Sequence, residues 1–422
     1  MTTDPNLKSF IDYSSKHPFP IQNLPYGVFS TDEKSPRVGV AIGDYILDLQ
    51  LLEEKGFFQD ILDEPIFSNP FLNSFMAKGK DVWSRVRKTV SDLLQDKPGE
   101  LRDNPELRQN ALIPQSNATM HLPFKVNEFT DFYASIYHAT NVGTIIRGPE
   151  NALQDNWLHL PVGYHGRASS VILSGQDIHR PKGQIRPGGH EVPFFSPSRF
   201  LDFEFEMGFV IGQGNELGRS IPISEALDHI FGLVILNDWS ARDIQGWEYR
   251  PLGPFTAKNF ATSISPWVVT IEALEPFRTE REKQVPEPME YLKTGSDACF
   301  DITLQTFLQT QNMTEPAMIM QSNFKYLYWT IDQMLTHHTV TGCNMQTGDL
   351  CGTGTISGPT KESRACLLEL TWRGKEPLEL PDGETRRALE DYDTVIMTAY
   401  AENEHYRVGF GEVKTQILPA LI

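Results

Sequence analysis

Beyond residue 117 the chain repeatedly offers short β-favouring runs with Gly, Pro and aromatic residues: GRASSVILSG, FEFEMGFVIG, FGLVILND, SPWVVTIEAL, CLLELTW and DTVIMTAY. Runs this short cannot bury an apolar face alone, so they must join in sheets, and few long helical patterns interrupt them. A mainly antiparallel β-architecture follows. Upstream, residues 25–50, PYGVFSTDEKSPRVGVAIGDYILDLQ, read as further small antiparallel strands separated by turn residues. Residues 81–112 instead carry helix formers with apolar spacing near three and four, broken at Lys97-Pro98-Gly99. The expected organisation is a small β-domain with a helical connection over residues 1–118 and a larger β-domain over residues 119–422. A soft prior of about 150 residues per domain accommodates two such units.

The 55 acidic residues outnumber 37 basic ones, a formal net charge of −18. Nucleic acid is therefore excluded as a partner, since phosphate binding needs clustered Lys and Arg. An anionic small molecule would need cations placed locally. No apolar stretch approaches the roughly 18 residues of a spanning helix, and MTTDPNLKSF has no basic segment followed by an apolar run. The expectation is a cytosolic chain with no membrane partner. Cys299, Cys343, Cys351 and Cys366 show no CxxC spacing, which fits reduced thiols better than zinc or redox chemistry.

The most informative run is Asp202-Phe203-Glu204-Phe205-Glu206-Met207. Alternation along a strand places Asp202, Glu204 and Glu206 on one face and the apolar residues on the other. Carboxylates that close either form a solvated acidic face or are compensated by a cation, and hard oxygen ligands suit calcium or magnesium rather than zinc. A second run, Leu233 to Asp238, reads as a buried strand ending in a carboxylate. Ser240 with Asp243 three residues later matches a capping box and predicts a helix beginning at Ser240. On that helix Arg242, Gln245 and Tyr249 share one face. A third run, Thr130 to Gly143, brings Asp131, Tyr133 and His138 close together, with Arg147 following. The glycine-rich run from Gly348 to Gly358 misses the dinucleotide fingerprint, and HExxH is absent.

These segments together resemble the fumarylacetoacetate hydrolase family. NDWSARDIQ (237–245) is similar to the superfamily at large. HLPVGYHGRASS (159–170) and the amino-terminal unit with PFPIQNLPYGVFS (18–30) resemble its eukaryotic-type branch, and GTISG (354–358) and YRVGFG (406–411) add to the resemblance to the family. The resemblance implies a mainly β fold, with a small SH3-like β-barrel amino-terminal domain and a larger mixed β-roll carboxy-terminal domain. It places metal ligands at Asp131, Glu204, Glu206 and Asp238, with calcium at this main site. A second ion, magnesium, would lie near Asp238, Lys258 and Thr262.

The same resemblance assigns the general base to His138, oriented by Glu369. Arg242, Gln245 and Lys258 would face developing negative charge, and Tyr133, Arg147, Tyr164, Tyr249 and Thr355 would contact substrate. The departures are Ile136-Tyr137 before His138 and Gly246 after Gln245, beside the site rather than in it. The implied reaction is hydrolysis of the carbon–carbon bond of 4-fumarylacetoacetate to fumarate and acetoacetate, which ends tyrosine and phenylalanine degradation, in a homodimer acting on a small diketo acid. The competing readings are an acylpyruvate hydrolase or oxaloacetate decarboxylase of the same superfamily, and a binding protein with a vestigial site.

Overall fold

The computed structural model describes residues 1–421. Near the amino terminus five antiparallel strands form one sheet, ordered Leu112–Pro114, Tyr45–Asp48, Arg37–Ile42, Tyr26–Ser30 and Thr119–His121. Its alternating side chains enter two different cores. Val28, Val40, Ile42 and Leu47 pack on one side, while Phe29, Ala41 and Ile46 pack on the other against Phe19 and Trp267. Lys80–Leu94 and Pro105–Ala111 are the helices expected around the Pro98-Gly99 break. The longer one buries Trp83, Val86, Val90 and Leu94, at helical spacing, in the first of these cores.

The larger unit centres on an eight-stranded mixed sheet. Its main path runs Gly163–His165, Phe129–Phe132, Leu350–Gly352, Phe205–Ile211, Ile230–Asp238, Thr262–Ile264 and Val171–Leu173, with Val269–Thr270 also paired to Ile230–Asp238. Two pairs in it are parallel. Alternation again divides the residues: Phe209, Ile211, Leu233 and Ile235 enter the large carboxy-terminal core, while Val210, Val234, Leu236 and Leu350 enter the core of the amino-terminal unit. Central strands covered on both faces lose the apolar–polar alternation of a solvated sheet. Each large aliphatic group buried there contributes about 1.5–3 kcal/mol. A second sheet of five strands, Ala317–Asn323, Thr303–Gln309, Thr394–Glu402, Arg407–Leu418 and Ile178–His179, completes this unit. The small and large β-units match the fold class expected from the sequence.

Three local expectations are corrected. The run 202–207 is not one strand: Leu201–Asp202 pairs with Ser240–Ala241, and the strand resumes at Phe205 after a break. The helix expected at Ser240 begins at Arg242, because Ser240 is spent on that short pairing and its hydroxyl donates to the Asp238 carbonyl. Asp243 accepts from Ser198 Oγ and the Arg199 amide rather than closing a capping box. Finally, CLLELTW is not a strand. Leu367–Leu370 is a short helix whose first amides, of Leu367 and Leu368, donate to the two oxygens of Asp202 at 2.7 and 3.0 Å. A buried carboxylate satisfying otherwise orphaned amides outweighs the β preference of this segment.

Candidate active site

Three carboxylates converge where strands of the large sheet end. Asp131 lies on Phe129–Phe132, Glu206 on Phe205–Ile211, and Asp238 closes Ile230–Asp238. One oxygen from each falls within 4.8 Å of the others, and all three residues are buried. The strands of Asp131 and Glu206 are not neighbours; Leu350–Gly352 runs between them. Gly352 makes the convergence possible, since a Cβ there would sit 2.7 Å from Asp131 Oδ1 and 2.8 Å from Glu206 Oε2. Two residues on, the Gly354 amide, in a turn with φ +76°, donates to Glu206 Oε2 at 2.9 Å.

Burial pushes the carboxyls of Asp131, Glu206 and Asp238 upward against the opposing charge of Lys258; Glu204 adds to the rise at all three, and Asp131 adds to it at Glu206 and Asp238. Asp131 Oδ1 and Glu206 Oε1 are buried without a donor. Such oxygens are costly to leave unpaired. Three convergent carboxylates, two with an orphaned oxygen and no sulfur or nitrogen among them, fit a hard divalent cation.

Glu204 stands beside this triad and is turned to cations. Its Oε2 accepts from Lys258, which also donates to Asp238, and its Oε1 lies 2.8 Å from Arg242 Nη2. Burial alone would raise the Glu204 carboxyl, but Arg242, Lys258 and His138 together hold it well below its ordinary value. Burial would likewise discharge Lys258, yet Asp238 and Glu204 outweigh it and raise its pKa. An ammonium donates three protons and has no lone pair for a metal, so Lys258 compensates the acids directly rather than ligating. Thr262, buried in the adjacent strand, lies opposite Asp238 in the register.

His138 comes from the first turn of the helix Ile136–Arg147, which Ser135 caps by accepting from the His138 amide. Its Nδ1 lies 2.5 Å from Glu369 Oε2, and its Nε2 lies 3.9 Å from Glu204 Oε1. Glu369 is wholly buried, which alone would raise its pKa; His138, Asn141 and Ser357 outweigh burial and lower it. Asn141 Nδ2 donates to Oε1 at 2.8 Å, and Ser357 Oγ to Oε2 at 2.7 Å. Cys366 Sγ is 3.2 Å from the same Oε2. An ionised Glu369 accepting on both oxygens fixes the proton on Nδ1 and leaves Nε2 as the free lone pair. The Tyr133 ring packs edge-on against the imidazole at 5.1 Å.

A cavity of about 800 Å³ opens over these groups. Asp131, Glu204, Glu206, His138, Arg242 and Lys258 reach it, as do the expected substrate contacts Tyr133, Arg147, Tyr164, Gln245, Tyr249 and Thr355. Asp238, Thr262 and Glu369 stand behind its wall. Thr355 Oγ1 is buried without a partner in the protein, and Tyr164 OH is 3.4 Å from Asp238 Oδ2. Arg242 Nε donates to Asp202 Oδ2 at 2.8 Å and Nη1 to Gln245 Oε1 at 3.2 Å. Its Nη2 approaches Asp202 and Glu204 at 2.8 Å each, at angles that make no hydrogen bond. Arg147 is held by the carbonyls of Asn151 and Ala152, at 2.9 and 2.5 Å.

Several contributors escaped the sequence reading. Asn141, which secures Glu369, lies one helical turn beyond His138 and was detectable by that spacing. Ser357 and Cys366 come from distant segments with no local signal. Asp202, read as a possible partner of the carboxylate face, instead anchors Arg242 and the helix bearing Glu369. Arg186, Arg250 and Arg373 also line the cavity. Arg373 lies in a turn where Trp372, Arg373 and Gly374 all have positive φ, +46°, +57° and +76°. For non-glycine residues this conformation costs about 1–2 kcal/mol each.

Residues 22–123 match the family model described as fumarylacetoacetase N-terminal, and residues 128–418 the model described as fumarylacetoacetate (FAA) hydrolase C-terminal. The chain is 53% identical to fumarylacetoacetase of Bos taurus over 416 residues, covering 98% of this chain and 99% of that one. It is 51% identical to the Homo sapiens fumarylacetoacetase and 50% to that of Arabidopsis thaliana, in each case over 98% of this chain and 99% of the relative. A solved fumarylacetoacetate hydrolase from Exiguobacterium antarcticum has a similar fold, with a TM-score of 0.52 at 15% identity over 94% of this chain and 99% of that one. With both family models matched in order and these relatives spanned nearly end to end, the chain belongs to the eukaryotic-type branch of the fumarylacetoacetate hydrolase family.

Proposed function

We propose that this chain hydrolyses the carbon–carbon bond of 4-fumarylacetoacetate, releasing fumarate and acetoacetate as the closing step of tyrosine and phenylalanine degradation. The observation that carries the reading is the buried His138–Glu369 pair, with Nδ1 and Oε2 2.5 Å apart, near a carboxylate triad, with His138, Asp131 and Glu206 all reaching one cavity. Its relatives named fumarylacetoacetase, about half identical over nearly the whole chain, supply the substrate.

Cleaving a β-diketone with water builds negative charge twice, first on the attacked carbonyl oxygen and then on the departing enolate. His138 Nε2 takes a proton from water as the water oxygen adds to the fumaryl ketone, while Glu369 stabilises the imidazolium through Nδ1. Arg242, Gln245 and Lys258, which line the cavity, donate to the resulting alkoxide, and a single preorganised donor of this kind is worth about 3 kcal/mol. As the alkoxide collapses to a carboxylic acid, which then loses its proton to solvent, the carbon–carbon bonding pair passes into the acetoacetate enolate. Protonated His138 then returns its proton to that carbon. Arg147, Tyr133, Tyr164, Tyr249 and Thr355 position the diketo acid.

Asp131, Glu206 and Asp238, with Glu204 adjoining, would hold a divalent cation, assigned as calcium, which supplies Lewis-acid stabilisation of dicarbonyl oxygens when bound. Magnesium is assigned to a second position near Asp238, Lys258 and Thr262 on the resemblance alone. We further assign a homodimer in the cytosol. Four free cysteines and the lack, among described residues, of any helix long and apolar enough to cross a membrane are consistent with that compartment.

The test is incubation with 4-fumarylacetoacetate, an acylpyruvate and oxaloacetate, with products identified by NMR. Fumarate and acetoacetate from the first support the reading. Turnover of oxaloacetate alone overturns it. Sedimentation velocity checks the dimer.

A further inference from the structure

Six cationic side chains line the cavity, Arg147, Arg186, Arg242, Arg250, Lys258 and Arg373, against the four acids Asp131, Glu204, Glu206 and Asp243. Lys258 is spent on Glu204 and Asp238 and Arg242 on Glu204 and Asp202, Asp243 turns its oxygens to Ser198 and to the Arg199 and Ile244 amides, and Asp131 and Glu206 belong to the carboxylate triad. Three further guanidiniums, those of Arg186, Arg250 and Arg373, line the same cavity on exposed residues. Among the described residues none of them has a carboxylate within the 4.0 Å of an ion pair. In a chain of net charge −18, three unpaired arginines from three separate segments around one opening are a local reversal of sign.

Two of them are supported from below. Arg186 lies 4.3 Å over the Trp247 ring and Arg250 5.1 Å over the Tyr249 ring, and both rings also line the cavity. Stacking on an aromatic face holds a guanidinium in place while leaving its N–H edge free to donate. The third, Arg373, is carried by the turn with consecutive positive φ values that follows the helix of Glu369. Its amide closes that turn on the Leu368 carbonyl at 2.7 Å. A backbone held in an unfavourable conformation beside a site suggests a side chain placed for use.

We infer that Arg186, Arg250 and Arg373 form a rim that recognises one terminal carboxylate of a dicarboxylic diketo acid, making the enzyme selective for dianionic over monoanionic substrates. The inference rests on the reaction proposed above and adds to it the residues that choose among diketo acids. The inner groups, with Arg147 tied to backbone carbonyls, hold the diketone and its other end, while the rim answers the charge at the mouth. Because the rim guanidiniums face solvent, each contributes modestly, and their attraction weakens with salt.

The test compares the wild type, the variants Arg186→Gln, Arg250→Gln and Arg373→Gln, and the triple variant, with circular dichroism melts to verify folding. The substrates are 4-fumarylacetoacetate and its two analogues in which one or the other terminal carboxylate is replaced by methyl. Each single change is expected to raise KM for the dicarboxylate about threefold and the triple change about 30-fold, with kcat altered less than about twofold. One of the two monoanions, the one lacking the rim-bound carboxylate, keeps its KM in the triple variant. The wild-type kcat/KM for the dicarboxylate falls with added salt more steeply than that of the triple variant. Equal shifts for all three substrates, or none, overturn the rim.

A parallel calorimetric titration with fumarate and crotonate separates the two claims. If the wild type cleaves no diketo acid, the reaction is wrong. The rim then stands if fumarate binding, but not crotonate binding, weakens in the triple variant, and falls if fumarate fails to bind or binds both proteins alike.

Discussion

Replacing Gly352 by alanine tests whether the carboxylate triad is a metal site or merely a strained cluster. The added methyl would lie 2.7 Å from Asp131 Oδ1 and 2.8 Å from Glu206 Oε2, against 3.4 Å or more for ordinary contact. The two carboxylates must therefore retreat by about 0.6–0.7 Å. In the metal-free protein that retreat costs little, because it moves Glu206 away from Asp131, whose charge adds to burial in pushing the Glu206 carboxyl up. A bound cation cannot follow, since ligand distances are held to within roughly 0.2 Å. Disturbing two ligands should lower calcium affinity by at least about tenfold, or roughly 1.4 kcal/mol. Calcium titration by calorimetry reads the affinity, and melting without metal reads the intrinsic stability. A variant that melts within a few degrees of wild type yet loses calcium supports the site. If it binds calcium as tightly as wild type, the assignment of these carboxylates as ligands is refuted.

Three further outcomes are expected. Glu369→Gln keeps the shape of the side chain but not the charge that fixes the His138 tautomer, so kcat should fall by about 10³–10⁴ with KM little changed; a loss below tenfold in steady-state assays would remove the dyad from the mechanism. Adding calcium in excess over its dissociation constant should raise the melting temperature of chelator-treated protein, by about 2.7 kcal/mol of stability at a hundredfold excess; no shift in a scanning-calorimetry trace would argue against binding. Burial pushes the Asp349 carboxyl up to about 6 from an ordinary 3.8, despite amides of Gln346 and Glu128 donating to it. The folded state thus holds that proton longer than the unfolded one, so stability from this group is present below about pH 4 and lost as pH rises to about 6, by up to roughly 3 kcal/mol. Asp349→Asn should flatten the urea-unfolding stability profile across that window, and an unaltered profile would show that Asp349 is not the source.

Much of the carboxylate cluster was readable because its members sit at strand ends within distinctive local runs. Asp131, Glu206 and Asp238 each close or interrupt an apolar strand, a pattern visible without coordinates. What the sequence could not order was their relative placement. Alternation put Asp202 on the carboxylate face, but a break in the strand before Phe205 sends it to the amides of Leu367 and Leu368 instead. That same contact, made by Leu367 across 165 residues to Asp202, turns CLLELTW from an apparent strand into the helix carrying Glu369. Ser240 misled for a related reason: its capping pattern with Asp243 is local, and a two-residue pairing with Leu201–Asp202 overrides it. Gly352 carried no signal, since its importance lies in the two neighbouring strands whose carboxylates meet across it.

The central claim is that His138 activates water for attack on a carbon–carbon bond, and labelled water tests it most directly. Wild-type protein supplied with 4-fumarylacetoacetate in oxygen-18 water should yield fumarate carrying one labelled carboxylate oxygen, together with acetoacetate, by mass spectrometry. His138→Ala should form neither product at a comparable rate. Unlabelled fumarate, or undiminished cleavage by His138→Ala, would contradict the account.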